Sequence, residues 1–378
     1  MTKVSKILFV IIIIAVIILM PLLSLVPRLN TDNEWFIKEV ELRTATDIEA
    51  VKESIDKIET FEDFFKDSLP FRRRIINVYS NAYYNIGVSV FDSRVTIGKN
   101  DYLFYSKYEN YHRGMDEYTD EEITEALGKL DVVNDYLIKK GIAFTYVTMP
   151  DKASIYGEYL PDWYTTTDQP SANRAVLNLT KASKDYTFVI DVTDELIKEK
   201  EIYGDALYYK TDTHYSSLGA YICYANILEN LNEIYNLDLN IAELDSYTVV
   251  ENAEGYGLKN LGGLKKNVND FTTKLILDGI EVEDAAQWKE RDFSNENALN
   301  DKTLLFFGDS FTRLLIAPLA QTFDKTYFHL IDHITEPFDT KTLIELVDKY
   351  DPDIVIIESM EMYSFNRLKG MNVSEGFE

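Results

Sequence analysis

Two short stretches of the chain hold residue types that perform acyl chemistry. Asp212-Thr213-His214 lies in "KTDTHYSSLGAY", residues 210–221, and Gly308-Asp309-Ser310 lies in "TLLFFGDSFTRLLIAPL", residues 303–319. A serine hydroxyl is a poor nucleophile until a histidine takes its proton. The histidine in turn needs a carboxylate to fix its tautomer and stabilise the imidazolium. Ser310, His214 and Asp212 supply those three groups as nucleophile, base and orienting acid. Residues two apart do not face each other on a helix, so Asp212 and His214 can meet only in a turned or extended segment. The cap signal Ser216-Ser217 is consistent with this, because it starts the next helix after the histidine. The other three histidines, His112, His329 and His333, have no aspartate two residues before them. Gly-Asp-Ser alone is also an ordinary helix cap; its pairing with Asp-x-His favours a serine site. A metal site on Asp212 and His214 is disfavoured because no further ligands cluster nearby, and no cofactor motif is present.

Elements able to position these residues alternate along the chain. "DEEITEALGKLDVVNDYLIKKG" is patterned as a helix and "IAFTYVTMP" as a strand stopped by Pro150. "ANRAVLNLTKASKD", "SSLGAYICYANILENLNEIY", "RLLIAPLAQTF" and "DTKTLIELVDKY" follow as helices, with "YTFVID", "TLLFF", "TYFHLI" and "DIVIIE" as strands. The strands are short, continuous and rich in β-branched or aromatic residues. That pattern predicts an α/β domain whose parallel sheet is covered by helices on both faces. Ser310 then falls at a strand-to-helix turn on the carboxyl edge, where open α/β sheets bind ligands. Its backbone N–H and the helix start after it are suited to an oxyanion; the second oxyanion donor is unassigned. Residues 230–302 break the alternation and are read as an irregular insertion, while "VTIGKNDYLFY", Val95–Tyr105, reads as a hairpin.

Composition and the N-terminus bound the setting. With 378 residues, 46% of them hydrophobic, the chain can bury a large core. A net charge of -26, from 64 acids against 38 bases, argues against a nucleic-acid partner. The single cysteine, Cys223, lies in an apolar helical run and is assigned to the core. Ile7–Val26 contains twenty uncharged residues preceded by Lys3 and Lys6. Such a stretch spans a bilayer as one transmembrane helix, with its lysine-flanked end in the cytoplasm. No A-x-A cleavage pattern follows, so an uncleaved signal anchor is expected, with the body outside the cytosol. The organisation read from sequence is residues 1–29 as cytoplasmic stub and anchor, 30–115 as helical stalk and hairpin, and 116–378 as the catalytic domain. Arg72, Arg73 and Arg74 in the stalk read either as a surface for phosphate headgroups or as a solvated, acid-paired face.

"TDTHYSSLGA" and "FFGDSF", together with "FEDFFKDSLPFRRRI", "IGKNDYLFY", "GIAFTYVTMPDKASIYGEYLP" and "VIDVTDEL" in that order, resemble the alginate O-acetyltransferase AlgJ/AlgX-like group. This group, with its DHHW relatives, belongs to the SGNH hydrolase superfamily. The resemblance runs from about Phe61 to Glu358 and implies an SGNH-hydrolase-like, flavodoxin-like fold. It implies a permuted site, with Asp212-x-His214 preceding Ser310, and an O-acyltransferase acting on an exopolysaccharide or cell-wall glycan. It also implies a membrane-bound O-acyltransferase as acyl donor and a polysaccharide as acceptor. Tyr215 departs from the group's usual tryptophan, which bears on the acceptor surface.

Further candidates carry less signal. Lys152, in the group's "PDK" block, is read as a substrate-binding residue or one half of a structural ion pair with its neighbourhood. Arg313, Glu358 and Tyr363 are read as lining the cleft, with packing or capping as the alternative for each. An esterase, in which water intercepts the acyl-enzyme, and a non-catalytic glycan-binding assembly protein are the alternative functions. Like-charge repulsion favours a neutral or cationic glycan over a polyuronate, within a Debye length of about 8 Å. The anchor reading has a direct check: full-length protein is expected in the membrane fraction, its body digested by protease added outside the cell. Digestion only after lysis would contradict that topology.

Overall fold

The computed structural model describes residues 72–377, except 91, 93, 245–246, 254–256, 262–263, 265–271, 278–289, 332–336 and 374–375. The proposed anchor, Ile7–Val26, lies outside the described residues. Among those described, no helix is long and apolar enough to cross a membrane. The chain falls into two compact units, Met1–Ile86 with Gly263–Lys265, and Gly87–Gly262 with Lys266–Glu378. What is described of the first unit is chiefly the helix Arg72–Tyr84, on which Tyr79 and Tyr83 pair at 4.5 Å between ring centroids.

The second unit is an α/β domain. It opens with the hairpin β1 (Val95–Ile97) and β2 (Leu103–Tyr105), turned at Asn100 and Asp101, both left-handed with φ of 53° and 66°. The hairpin, which ends the 30–115 segment read from sequence, lies in the larger unit, where Leu103 N–H donates to Lys210 O at 2.9 Å. The main strands are β3 (Ala143–Met149), β4 (Val189–Asp191), β7 (Glu290–Ser294), β8 (Asn300–Gly308), β9 (Phe323–Leu330) and β10 (Ile354–Met360), with a smaller pair β5 (Tyr247–Ala253) and β6 (Thr272–Leu277). The six-stranded sheet has the order β4-β3-β10-β8-β9-β7. All neighbours run parallel except β7, which pairs antiparallel with β9 at the edge.

The all-parallel expectation is therefore corrected at one edge, and the insertion is not wholly irregular, since it contributes β5, β6 and β7. In β7, "ERDFS" alternates partly buried and exposed residues, so a charged sequence hid a one-faced edge strand. Charges on such an edge also discourage pairing with another chain.

Side chains alternate across the central strands and feed two cores. Leu304, Phe306, Ile354 and Ile356 enter the core on one face, and Leu305, Phe307, Val355 and Ile357 the other. This is the period of two that a strand imposes. The first face is covered by helix α4 (Ser217–Tyr235), reached after α1 (Asp120–Lys139), α2 (Ala172–Ala182) and α3 (Thr193–Tyr203). The second face is covered by α1, α2, α5 (Thr340–Tyr350) and α6 (Glu361–Gly370). Each fully buried large apolar side chain contributes about 1.5–3 kcal/mol relative to exposure, which is what makes the alternation decisive.

Local signals set the helix ends. Thr119 and Glu122 form a capping box on α1. Ser216 Oγ accepts from Gly219 N and caps α4, and left-handed Asn236 ends it. Cys223 is fully buried in α4, where burial pushes its thiol well above the usual value.

Candidate active site

Ser310 sits where β8 ends on the carboxyl edge. Asp309 precedes it as N-cap of a 3-10 turn, Ser310–Leu314. The Asp309 carboxylate is the hub of this turn. Its Oδ1 accepts from Phe311 N at 3.0 Å, and its Oδ2 accepts from Met360 N at 3.0 Å and Arg367 Nη1 at 2.9 Å. Thr312 N–H and Oγ1 both donate to the Asp309 carbonyl, at 3.1 and 2.6 Å. Thus the N–H groups of Phe311 and Thr312 are committed to Asp309, leaving the Ser310 N–H as the turn's best-suited donor to an oxyanion. Gly308 is required by crowding: a Cβ there would lie 1.9 Å from Thr312 Cγ2 and 2.7 Å from Glu358 Oε2.

The Asp212–His214 segment is a turned loop between Tyr208 and Tyr215, which form an isolated antiparallel bridge. Ser216 N–H donates to Leu207 O at 2.8 Å, and Tyr209 N–H to His214 O at 3.2 Å, closing it. Within the loop, Asp212 Oδ1 accepts from His214 N at 3.1 Å and meets His214 Nδ1 at 2.7 Å. His214 Nε2 lies 2.9 Å from Ser310 Oγ. An ionised carboxylate can only accept, so Nδ1 carries the proton and Nε2 is left to accept from the serine hydroxyl. The His214 ring packs on Phe311 at 4.9 Å, while the Tyr215 hydroxyl donates to Phe311 O, joining the two loops a second way. His214 and Asp212 side chains remain 29% and 18% exposed, so solvent and substrate can reach the site.

Lys152 is the buried fastener of that loop. It is 1% exposed, and its ammonium donates to the carbonyls of Tyr209, Lys210 and Asp212 at 2.9, 3.0 and 2.6 Å. The helix at Gly257–Leu261 adds a second brace, with Leu258 N–H and Lys259 N–H donating to Thr211 O at 3.0 and 3.1 Å. This segment of the insertion was not singled out in the sequence, because only the fold brings it to residue 211.

Several sequence candidates are corrected by burial. Lys152 faces backbone carbonyls rather than substrate. Tyr215 is fully buried between the loops, so its replacement of tryptophan acts on packing and not on an acceptor surface. Glu358 is fully buried behind Ser310, its Oε2 accepting from Asp309 N at 2.9 Å. Arg313 is partly buried three residues beyond Ser310, and its Nε has no partner among the described residues. Tyr363 is partly buried, with its hydroxyl donating to that of Tyr108 at 3.1 Å. Asp212, His214 and Ser310 are the candidates that the fold brings into one hydrogen-bonded chain. Among the described residues no group of three or more His, Cys, Asp or Glu is arranged for a metal.

The fold is thus an α/β domain with a hydrogen-bonded Ser-His-Asp chain at the carboxyl edge of a mostly parallel sheet. The family model for the SGNH hydrolase-like domain of acetyltransferase AlgX matches residues 95–313, over half the chain and including all three residues, and the chain belongs to that family. Among solved structures, Bacillus cereus PatB1 with a sulfonyl adduct is similar at 15% identity and a TM-score of 0.51, covering 74% of this chain and 99% of that one. The O-acetyltransferase domain of Pseudomonas putida AlgJ is 17% identical with a TM-score of 0.47, covering 72% and 92%. A DHHW family protein from Eubacterium siraeum is 14% identical with a TM-score of 0.43, covering 66% and 90%. No curated protein matches the chain.

The carboxyl behind Ser310 makes a pH-dependent prediction. Burial, then the nearby Asp309 charge, push the Glu358 carboxyl well above its usual 4.5. With its folded value raised, the stability tied to neutral Glu358 is complete below about 4.5 and is lost as pH climbs towards the folded value. Glu358→Gln keeps the shape and removes the titration. The variant's stability relative to wild type is therefore expected to rise from pH 4 to pH 8 in denaturant unfolding. A difference that stays flat over that range would show that Glu358 is not held neutral.

Proposed function

We propose that this protein is a membrane-anchored, extracytoplasmic O-acyltransferase that acetylates a polysaccharide through a serine acyl-enzyme. The observation that carries the proposal is the continuous chain from Asp212 Oδ1 through His214 to Ser310 Oγ, at 2.7 and 2.9 Å, in a member of an acetyltransferase family. In the first half-reaction, His214 Nε2 takes the Ser310 proton as Oγ attacks the donor carbonyl. The Ser310 N–H meets the developing oxyanion, and the imidazolium, stabilised by Asp212, returns the proton to the leaving group. In the second half-reaction, His214 Nε2 takes the proton of a sugar hydroxyl as its oxygen attacks the acyl carbonyl; the bond to Ser310 Oγ then breaks, the imidazolium returns the proton to Oγ, and the sugar leaves as the ester.

The anchor Ile7–Val26 would set the body beside a membrane O-acyltransferase that supplies the acyl group. No cofactor enters this scheme. The esterase reading has one observation in its favour: the His214 side chain is 29% exposed, so water can compete with the glycan. Slow hydrolysis of small esters follows under either reading, and it provides the assay.

Ser310→Ala and His214→Ala are each expected to lower kcat on a nitrophenyl acetate by about 10⁴-fold or more, because the pair acts as a unit. Asp212→Asn is expected to be severe but milder than either. Retained turnover in Ser310→Ala, or its loss in Cys223→Ala alone, would remove the serine mechanism. Fast ester hydrolysis without acyl transfer to any oligosaccharide, even with the membrane partner supplied, would favour the esterase.

A further inference from the structure

A second feature lies near the same sheet edge, beyond the end of β3. A cavity of about 460 Å³ opens there, walled by His112, Ser154, Glu158, Leu160, Asp162 and Tyr164 among others. That volume lies within the ~300–1,000 Å³ of small-ligand clefts. Its floor is held by buried polar groups. His112 Nε2 lies 2.8 Å from Asp151 Oδ2, Ser154 Oγ donates to Glu361 Oε1 at 2.5 Å, and that oxygen also accepts from Asp151 N at 2.7 Å. Burial disfavours a charged imidazole, but Asp151 and Glu361 outweigh it and raise the His112 pKa.

The chemistry of the mouth selects the ligand. Its carboxylates are already matched, Asp162 by Lys99 at 2.6 Å and Glu158 by Lys200 at 2.5 Å. Apolar Leu160 and Pro161 stand beside hydroxyls of Ser154, Tyr164 and Thr166. The aromatic ring in the wall is that of Tyr164, which stands 5.8 Å from the ring of its half-exposed neighbour Trp163. An aromatic ring and apolar side chains among charge-paired hydrogen-bonding groups suit a sugar, which has an apolar face and a hydroxylated rim.

Position links the cavity to the triad. β3 is separated from β8 only by β10, so the two strand ends lie about 10 Å apart. Asp151, which carries His112, is followed at once by Lys152, the fastener of the Asp212 loop.

We propose that this cavity is an acceptor subsite for neutral sugar residues of the glycan chain whose hydroxyl is acylated at Ser310. The proposal rests on the transferase reading above and adds the place and the charge class of the acceptor. The test is calorimetric titration of the full-length protein in detergent with neutral pentasaccharides of glucose, galactose and N-acetylglucosamine, and with an oligogalacturonate. At least one neutral oligomer is expected to bind wild type and Ser310→Ala equally, with Tyr164→Ala and Glu158→Gln weakening it, the former by about tenfold. Tighter binding of the acidic oligomer, or neutral binding unchanged in both cavity variants, would overturn the subsite. If wild type turns over a small ester through Ser310 yet binds none of the neutral oligomers, the subsite alone falls. If the sugars bind as expected and ester turnover is absent, the transferase reading falls and the cavity stands as a sugar site.

Discussion

The contact between His214 Nε2 and Ser310 Oγ is the constraint on which the structure turns. It closes 2.9 Å across 96 positions of sequence, and each partner stands on a separately built support. On the serine side, one carboxylate, Asp309, gathers the N–H groups of Phe311 and Met360 and the Arg367 guanidinium. That binds the turn to the next strand and to the helix after it. On the histidine side, Lys152 gathers three carbonyls of the loop. A small displacement on either side would lengthen the contact, and proton transfer falls off quickly outside hydrogen-bond reach.

The two buried carboxyls of this region have different partners. Asp309 has Arg367 beside it, a buried pair whose geometry supplies hydrogen bonds as well as attraction. Glu358 stands next to that pair without a cation of its own at hydrogen-bonding distance among the described residues, and burial raises its carboxyl well above the usual carboxylate range. Gly308 lets these carboxyls approach β8 closely. Ser310 is thereby placed above a polar layer, its hydroxyl within reach of His214.

The chemistry-bearing residues were legible because their types and spacings are unusual. Gly-Asp-Ser after an apolar run is by itself an ordinary cap, but together with Asp-x-His before a serine cap it supplies nucleophile, base and acid. The alternation of helices and strands was legible through hydrophobic period. What could not be read was burial of polar groups: nothing in "PDK" distinguishes a lysine aimed at substrate from one enclosed by three carbonyls. Glu358 and Tyr215 misled for the same reason, being polar residues spent on internal hydrogen bonds. The segment after Ser310 reads as one helix from Arg313 to Phe323. It splits into a 3-10 turn and the helix Ile316–Thr322, with β9 beginning at Phe323, because Asp309 tightens the first turn. The pairing of His112 with Asp151, 39 positions apart, was likewise beyond sequence spacing.

The central claim is that Ser310 alone is made nucleophilic, and that His214 does this. Treating the full-length protein with an arylsulfonyl fluoride and mapping the adduct by peptide mass spectrometry tests it without reference to any glycan or donor. The account predicts a single adduct, on Ser310, whose rate of formation collapses in His214→Ala. An adduct on another residue, or an undiminished rate in His214→Ala, would contradict it.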